Sequence, residues 1–189
     1  YVRTDSRPVV YIFDPKGLEA KARVFGSSTA DLFAKADGIA GKAGLPGIFF
    51  VAGTHAAPPF ADRLAQEYGY RALSGYNYSA GRTIRKFDSY PALDRGYQEQ
   101  WDWLLAKAPL PYMIAMSSGW DKRPWGGSPD PRRDLSVSTP DLFERHLRAA
   151  KQRMDLYPDK SLRTAVICCW NEFGEGSYIE PTKFFQFQY

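Results

Sequence analysis

The chain has 189 residues, of which 44% are hydrophobic and 24% are charged, a composition typical of a folded globular domain. Its net charge is +4, and because no run of Lys and Arg is dense enough to form a basic patch, the charge argues against a nucleic-acid partner. No apolar run is long enough to cross a bilayer, so no membrane span is predicted. Aromatic residues make up 15% and either fill a core or provide stacking surfaces for sugar rings.

The first half of the chain alternates between strand and helix patterns. An apolar, β-branched run predicts a strand over 7–14, and a Ser/Thr start with helical spacing and a closing Gly predicts a helix over 28–44. A second strand is predicted over 47–53, a short helix over 58–69 and a weaker strand over 70–78. This alternation is the pattern of strand–helix–strand units.

The second half continues the same alternation. We predict a helix over 89–108, a strand over 111–117 and a last strand over 163–170. The clearest helix is predicted over 139–158, where Thr139 is the N-cap, a proline follows in the first turn and apolar residues form a stripe along one face. The whole chain is therefore predicted to contain five strands alternating with four helices.

This order of elements predicts a parallel sheet with helical crossovers, in a single α/β domain over 1–189. A complete (β/α)8 TIM barrel needs roughly 250 residues, so we expect the C-terminal five-strand portion of such a barrel, with the missing strands supplied by the same or another chain. A doubly wound open sheet is the alternative, although no GxGxxG or Walker A motif favours it. The long polar loops after the strands are where barrels of this kind place their chemistry.

One motif at the end of the last predicted strand carries the strongest chemical signal. The apolar run ending at Trp170 is followed directly by Asn171, Glu172 and Glu175, with two glycines beside the acids. Two carboxylates in a partly dry cleft repel each other, which raises one pKa and leaves one proton donor and one ionised base. That division of labour is used in glycoside hydrolysis, with Asn171 available to hold a substrate hydroxyl or orient an acid. A solvated acidic loop is the alternative interpretation.

A second segment with binding potential follows the fourth predicted strand. Trp120 and Trp125 are candidates for stacking on sugar rings, and Asp121 and Arg123 are candidates for binding hydroxyl groups. The alternative is a structural loop, in which the indoles pack on neighbouring loops and Asp121 pairs with Arg123.

Three further candidates lie just after earlier strands. Tyr76 and Asn77 end the third predicted strand, and His55 lies beyond the second, so all three face the end of the sheet where substrate is expected. For each of them a structural role in packing or in the loop is the alternative.

No metal or cofactor site is predicted. His55 and His146 are distant in the chain, and His146 lies within a helix pattern where a packing or surface role is expected. Cys168 and Cys169 form no CxxC spacing. Because neighbouring strand residues point to opposite faces, we expect no bond between these two cysteines.

A family resemblance extends this interpretation. The segment WNEFGEGSYIEPT (170–182) resembles the signature of the WbsX-like proteins, which are related to glycoside hydrolase family 99. The segment SSGWDKRPW (117–125) is similar to a second motif of that family, although one or two residues tighter, and 138–152 resembles the helix between the two motifs. The match is clear over 110–189 and rests on strand order alone over 7–109.

The resemblance implies a (β/α)8 barrel that acts on mannose-type or related glycans. In the hydrolase branch cleavage retains configuration and needs no metal, and the matching positions make Glu172 the base that assists the sugar 2-hydroxyl and Glu175 the acid. Gly174 stands where that branch has His, and Phe173 stands where Trp is usual. The glycine is typical of the WbsX-like branch, which is associated with surface polysaccharide loci and often labelled as glycosyltransferase.

Three functions therefore stay open. The first is a glycoside hydrolase-like enzyme with an oligosaccharide or polysaccharide substrate, and the second is a glycosyltransferase in bacterial surface polysaccharide biosynthesis. The third is a carbohydrate-binding barrel without catalysis. The chain starts without Met and ends on an apolar stretch, so we expect that a leader can be missing, and both the bacterial cytoplasm and the cell envelope are open as locations.

Overall fold

Five parallel strands in chain order form a curled half-barrel sheet in the computed structural model, which describes residues 1–53 and 58–189. A short antiparallel strand precedes them, and two pairs of two-residue strands lie in the loops. The strands are β1 Arg3–Thr4, β2 Arg7–Ile12, β3 Phe49–Gly53, β4 Ala72–Ser74, β5 Ile114–Ser117, β6 Gly119–Trp120, β7 Ser136–Val137, β8 Ala165–Cys168, β9 Asn171–Glu172 and β10 Ser177–Tyr178.

The register shows how the sheet is assembled. β2, β3 and β4 pair in parallel, β1 covers part of the outer edge of β2, and β5 pairs in parallel with β8. A parallel bridge between Leu73 and Tyr112 joins the two groups. The spatial order of the five parallel strands is thus their order in the chain, as the sequence predicts.

The four predicted helices are present, and their caps explain where they begin. Ser28 forms a capping box with Asp31, and Thr139 accepts a hydrogen bond from the amide of Leu142. The helices are α1 Pro15–Val24, α2 Thr29–Lys42, α3 Pro58–Arg63, a π-helical turn Leu64–Tyr68, α4 Tyr90–Lys107, α5 Pro140–Leu156 and α6 Pro158–Ser161.

The sequence interpretation missed α1. It assigned Asp14 to the end of a strand, whereas Asp14 caps the helix by accepting a 2.9 Å hydrogen bond from the amide of Gly17. Asp followed by Pro at the first helical position is an N-terminal helix signal that the sequence does contain. Glu19 of this helix accepts a hydrogen bond from the amide of Thr29 at 2.8 Å, which attaches α1 to α2.

Each of the five predicted strands exists, and each is shorter than predicted. The largest difference is in the third, where 70–78 was predicted and Ala72–Ser74 is observed. Beyond Ser74 the chain bends, and the ring of Tyr78 packs so closely on Gly75 that a Cβ there would lie 2.6 Å from it. Strand propensity in the aromatic residues that follow is overridden by this turn.

The last parallel strand, β8, is only partly buried. Ile167 of β8 is 40% exposed, and within residues 1–53 and 58–189 the outer edge of β8 has no strand partner. The mixed α/β character and the curled parallel sheet are therefore observed, and closure into eight strands stays a prediction. No helix in the part of the chain that the structure describes is long and apolar enough to cross a membrane.

Buried aromatic rings with satisfied polar atoms hold the sheet against α4 and α5. Trp101 is fully buried and its indole Nε1 donates to the carbonyl of Ala115 at 2.7 Å. Tyr112 is also fully buried, and its hydroxyl lies 2.5 Å from that of Tyr78. A buried indole or phenol is stabilising when its polar end has a partner, so these contacts fix the position of β5 in the sheet.

His146 connects three elements at the centre of this core. It is 0% exposed, its Nδ1 lies 2.7 Å from Asp94 Oδ1 on α4, and its Nε2 accepts from the amide of Ser117 on β5 at 3.4 Å. Burial lowers the pKa of His146 despite the opposing effect of Asp94, so the imidazole is neutral and donates through Nδ1. The packing role expected for this histidine agrees with its position.

We expect His146→Ala to lower the free energy of unfolding by about 2–4 kcal/mol, because it opens a cavity and removes one of the two side-chain partners of the Asp94 carboxylate. The lowered pKa also predicts a pH dependence. Below the unfolded value of about 6.5 the unfolded chain binds a proton that the folded chain excludes, so stability falls as pH falls. Urea unfolding at pH 7.5 and 5.5 measures both effects, and the variant should show the smaller decline.

Arg145→Ala is the matched control, since Arg145 is an exposed neighbour on the same helix. It should leave both the stability at pH 7.5 and the decline toward pH 5.5 nearly unchanged. An unchanged pH dependence in His146→Ala would contradict the assignment of that decline to His146.

Candidate active site

The loops that follow β4, β5 and β8 meet at one edge of the sheet. Parallel strands bring their carboxyl ends to the same edge, which is where barrel enzymes build their active sites. These loops span 75–89, 118–139 and 169–189, and they contain all the predicted site residues except His55. His55 lies outside the described residues.

The acidic motif forms a tight hairpin. β9 pairs antiparallel with β10, so that Glu172 lies opposite Ser177, and the turn Phe173–Glu175 between them is 3₁₀-helical. Gly176 ends that turn with φ of +61°, in the left-handed region that glycine tolerates best. The tight turn therefore places Glu172 and Glu175 at its two ends.

The electrostatic interactions of Glu175 and of Tyr76 indicate that the two acids lie close together. Partial burial and then the charge of Glu172 raise the pKa of Glu175, whereas Lys122 and Arg133 act in the opposite direction. The pKa of Tyr76 is raised by burial and by both Glu172 and Glu175. A phenol on the loop after β4 and two carboxylates on the loop after β8 thus interact electrostatically, and Glu175 stays protonated to a higher pH than an ordinary carboxyl group.

The loop after β5 packs directly on the acidic hairpin. The amide of Asp121 donates to the carbonyl of Glu175 at 2.6 Å, and a Cβ at Gly176 would lie 2.6 Å from the Cβ of Asp121. At Gly174 a Cβ would lie 2.2 Å from the indole of Trp125. Gly176 is therefore needed for this contact between loops as well as for the turn, and Gly174 leaves room for the indole of Trp125.

Asp121 and Arg123 pair with each other. Arg123 donates to Asp121 through Nε at 2.8 Å and through Nη2 at 2.6 Å, the bidentate geometry of a guanidinium and a carboxylate. These bonds lower the pKa of Asp121. Of the two interpretations left open by the sequence, the structure shows the intramolecular pair, and Arg123 keeps an exposed side through which it can reach solvent.

Of the three tryptophans in these loops, one makes a side-chain hydrogen bond and two are largely exposed. Trp120 donates from Nε1 to Ser128 Oγ at 2.9 Å, and the guanidinium of Arg133 lies 4.5 Å above its ring. Trp125 is 60% exposed and Trp170 is 57% exposed. Two exposed indoles beside an acid pair are suited to sugar stacking, and Trp170 is the one that the sequence analysis did not name as a binding residue.

Asn171 and Asn77 differ in their surroundings. Asn171 is exposed in β9, next to Glu172. Asn77 Oδ1 accepts a 3.1 Å hydrogen bond from the hydroxyl of Tyr97, whereas its Nδ2 is buried and has no hydrogen-bond partner among the described residues. Asn77 is therefore partly structural, with one donor left over.

A comparison with protein-family models matches the whole chain, residues 1–189, to the family described as glycosyltransferase WbsX. The chain belongs to the WbsX family. This assignment confirms the resemblance drawn from the two motifs and extends it to the first half of the chain, where strand order alone had matched. Membership indicates a glycan-related, carbohydrate-active enzyme. A search of curated proteins found no match.

The WbsX chain also contains a structural carboxylate that sequence analysis missed. Asp134 is 1% exposed and accepts from Ser128 Oγ at 2.6 Å, from the amide of Ser128 at 2.8 Å and from the amide of Lys122 at 3.0 Å. Burial opposes its ionisation, but these three donors outweigh burial and lower its pKa. Nothing in the local sequence separates Asp134 from the other acids of the loop, so only the fold identifies it.

The cysteines of the WbsX chain contradict a prediction. Cys168 and Cys169 were expected to point to opposite faces, yet a disulfide joins them. The alternation behind that expectation stops at Cys168, where β8 ends. Cys169 Sγ lies 3.1 Å from the hydroxyl of Tyr76. Residues 1–53 and 58–189 contain no cluster of three or more His, Cys, Asp or Glu that could hold a metal ion.

The two glycines of the hairpin should respond differently to alanine. Gly176→Ala meets the backbone of Asp121 and requires a left-handed φ, so we expect a loss of about 1–3 kcal/mol in unfolding free energy. Gly174→Ala meets only the exposed ring of Trp125, which can swing away, so stability should change less and the tryptophan fluorescence should change more. Thermal unfolding and emission spectra measure the two responses.

Gly38→Ala is the matched control, because a Cβ there has no atom within 4 Å and α2 favours alanine by about 0.5–1 kcal/mol. It should raise stability slightly and leave the fluorescence unchanged. Equal losses in Gly174→Ala and Gly176→Ala would contradict this description of the loop contact.

Proposed function

We propose that this WbsX-family chain carries the acid–base pair of a glycoside hydrolase-like enzyme acting on a mannose-type or related polysaccharide, with Glu175 as acid and Glu172 as base. The observation that supports the roles is the raised pKa of Glu175 beside the charge of Glu172. A general acid must keep its proton near the working pH, and its partner must be ionised.

The first chemical step uses both acids on one sugar residue. Glu172 removes the proton of the 2-hydroxyl while that oxygen attacks the anomeric carbon, and Glu175 gives its proton to the departing glycosidic oxygen. One C–O bond forms, one C–O bond breaks, and the proton lost from Glu175 is balanced by the proton gained at Glu172. This substrate-assisted route follows from the family resemblance.

The second step reverses the proton positions. Glu175, now ionised, takes a proton from water as the water oxygen attacks the anomeric carbon. The bond between that carbon and the 2-oxygen breaks, and Glu172 returns its proton to the 2-oxygen. Two inversions at the same carbon give net retention of configuration, and no metal is needed for either step. The exposed indoles of Trp125 and Trp170 provide stacking surfaces on which the sugar rings can be oriented.

A transferase is the second candidate, and the family description favours it. In that reaction the hydroxyl of a growing glycan replaces water, and the leaving group is a nucleotide or lipid phosphate instead of a sugar. The same carboxylate pair would serve as base for the acceptor and as acid for the departing group. The two reactions therefore differ in what occupies the cleft on either side of the acids.

We also propose that the sheet closes into an eight-stranded barrel. Five parallel strands in chain order and a curled sheet support it, and so does the exposed Ile167 on the outermost strand. An unpaired sheet edge is an unsatisfied row of backbone donors and acceptors. Further strands of the same or another chain would pair with it.

Replacing either acid by its amide should greatly slow turnover while binding is retained. We expect Glu175→Gln and Glu172→Gln each to lower kcat by about 100-fold to 10,000-fold, the usual contribution of a positioned acid or base. Hydrolysis of α-linked manno-oligosaccharides, with product stereochemistry followed by NMR, measures this. Glu144→Gln, on the exposed face of α5, is the control, and persistent turnover in both site variants would exclude the acid pair.

The pH profile gives a second test of the acid role. Activity should fall at alkaline pH as Glu175 loses its proton, and its raised pKa places this fall above the range of an ordinary carboxyl group. Lys122 acts to lower that pKa, so Lys122→Met should move the alkaline limb of kcat/KM to still higher pH. A limb that moves to lower pH would contradict the assignment of Glu175 as the acid.

Hydrolysis and transfer are separated by the donor. If the protein is a transferase, a nucleoside diphosphate sugar should raise its melting temperature and an added glycan acceptor should be extended. If it is a hydrolase, manno-oligosaccharides should be shortened without any donor. Binding without either reaction would favour a carbohydrate-binding barrel and would reject both catalytic proposals.

A further inference from the structure

A hollow lies between the loop after β4 and the loop after β5. Its volume is about 240 Å³. Ligand pockets for drug-sized molecules measure roughly 300–1,000 Å³, so this one suits a single small group or sugar residue. Its charged lining residues are Arg85, Lys86, Asp88, Asp130, Arg132 and Arg133.

The lining has a surplus of positive charge. Four cations face two carboxylates, and one of the carboxylates is already engaged. Asp130 accepts from Arg132 through Nε at 3.0 Å and Nη2 at 2.8 Å, and Lys86 Nζ lies 3.9 Å away. In the part of the chain that the structure describes, Arg85 and Arg133 have no ion pair, so two guanidinium charges are left for a ligand.

Arg133 is the group that links this hollow to the acids. Its guanidinium lies 4.5 Å above the ring of Trp120, and its Nε is buried without a hydrogen-bond partner among the described residues. Leaving a buried donor unpaired is costly unless a ligand satisfies it. Trp120 adjoins Asp121, whose amide donates to the carbonyl of Glu175, and the charge of Arg133 also acts on Glu175. A group bound by Arg133 would therefore lie near the reacting sugar.

The chemistry of the lining selects an oxyanion. A guanidinium presents a planar fork of donors that matches carboxylate and phosphate oxygens, and stacking on an indole holds the fork in place. A neutral sugar would leave the buried Nε of Arg133 without a charged partner. The ligand class is thus a sugar that carries a carboxylate or a phosphate.

We propose that the hollow lined by Arg85 and Arg133 is a subsite for an acidic sugar residue, which it holds beside the residue on which the acid pair acts. The proposal rests on the proposed function for its meaning as a substrate subsite. The oxyanion can come from a uronic acid within the glycan or from the phosphate of a sugar donor. In either case the two arginines would bind an anionic group through charge-assisted hydrogen bonds.

Titration calorimetry on Glu175→Gln, which should bind without turnover, compares three probes. The first is α-linked mannotriose, the second is the same trisaccharide oxidised to a uronate at its non-reducing end, and the third is a nucleoside diphosphate mannose. At least one acidic probe should bind about tenfold to 100-fold more tightly than the neutral trisaccharide, the effect of a charge-assisted hydrogen bond.

Two variants assign that preference to the hollow. Arg85→Gln and Arg133→Gln, each added to Glu175→Gln, should reduce the affinity for the acidic probe to that of the neutral trisaccharide. Arg85 is exposed, so its variant should fold even if the loss of the stack on Trp120 destabilises the other. Arg95→Gln, an exposed position on α4 with the same change in charge, should leave the preference intact.

Each outcome of these binding experiments either supports or overturns the proposed subsite. A preference for the uronate supports an acidic glycan, and a preference for the diphosphate alone supports the subsite with phosphate as its ligand and favours the transferase. Equal binding of all three probes, binding of none, or equal losses in Arg85→Gln and Arg95→Gln would overturn the proposal. Turnover that persists without Glu172 and Glu175 would reject the acid pair and leave this charge preference standing.

Discussion

The contact between the loop after β5 and the hairpin 171–178 is the interaction on which the site depends. The backbone amide of Asp121 donates a hydrogen bond to the carbonyl of Glu175. Because Gly176 has no Cβ, the loop and the hairpin can approach each other this closely. Asp134 in turn holds the loop through three donors at its base. A carboxylate pair is useful for catalysis only if its geometry is kept, and this backbone contact keeps it.

The same principle operates deeper in the molecule. His146 connects α5 to α4 and to β5 through hydrogen bonds at both ring nitrogens. β5, which precedes the loop 118–139, therefore cannot shift without breaking buried hydrogen bonds. Trp101 adds a further bond from α4 to β5. The core thus fixes where β5 ends, the end of β5 fixes where the loop begins, and the loop fixes the hairpin.

Much of the fold could be predicted because its signals are local. Hydrophobic periodicity identifies the five strands and four helices, and Thr139 with the following proline marks the start of α5 before any contact is known. The miss at α1 came from reading Asp14 as strand, although Asp14 and Pro15 form a recognisable helix start. The lengths of the strands were less accurate, because the turn after Ser74 depends on the close approach of Gly75 to Tyr78.

The sequence by itself determined the family, the order of the elements and the presence of two acids after the last strand, since a distinctive motif and periodic apolar residues are written in adjacent positions. Only the tertiary structure decided that Asp121 pairs with Arg123, that Arg133 covers Trp120, and that burial and a neighbouring charge raise the pKa of Glu175. These outcomes depend on distances and burial across separate loops, and electrostatic interaction falls off with distance and solvent exposure. The order of residues along the chain does not contain those quantities.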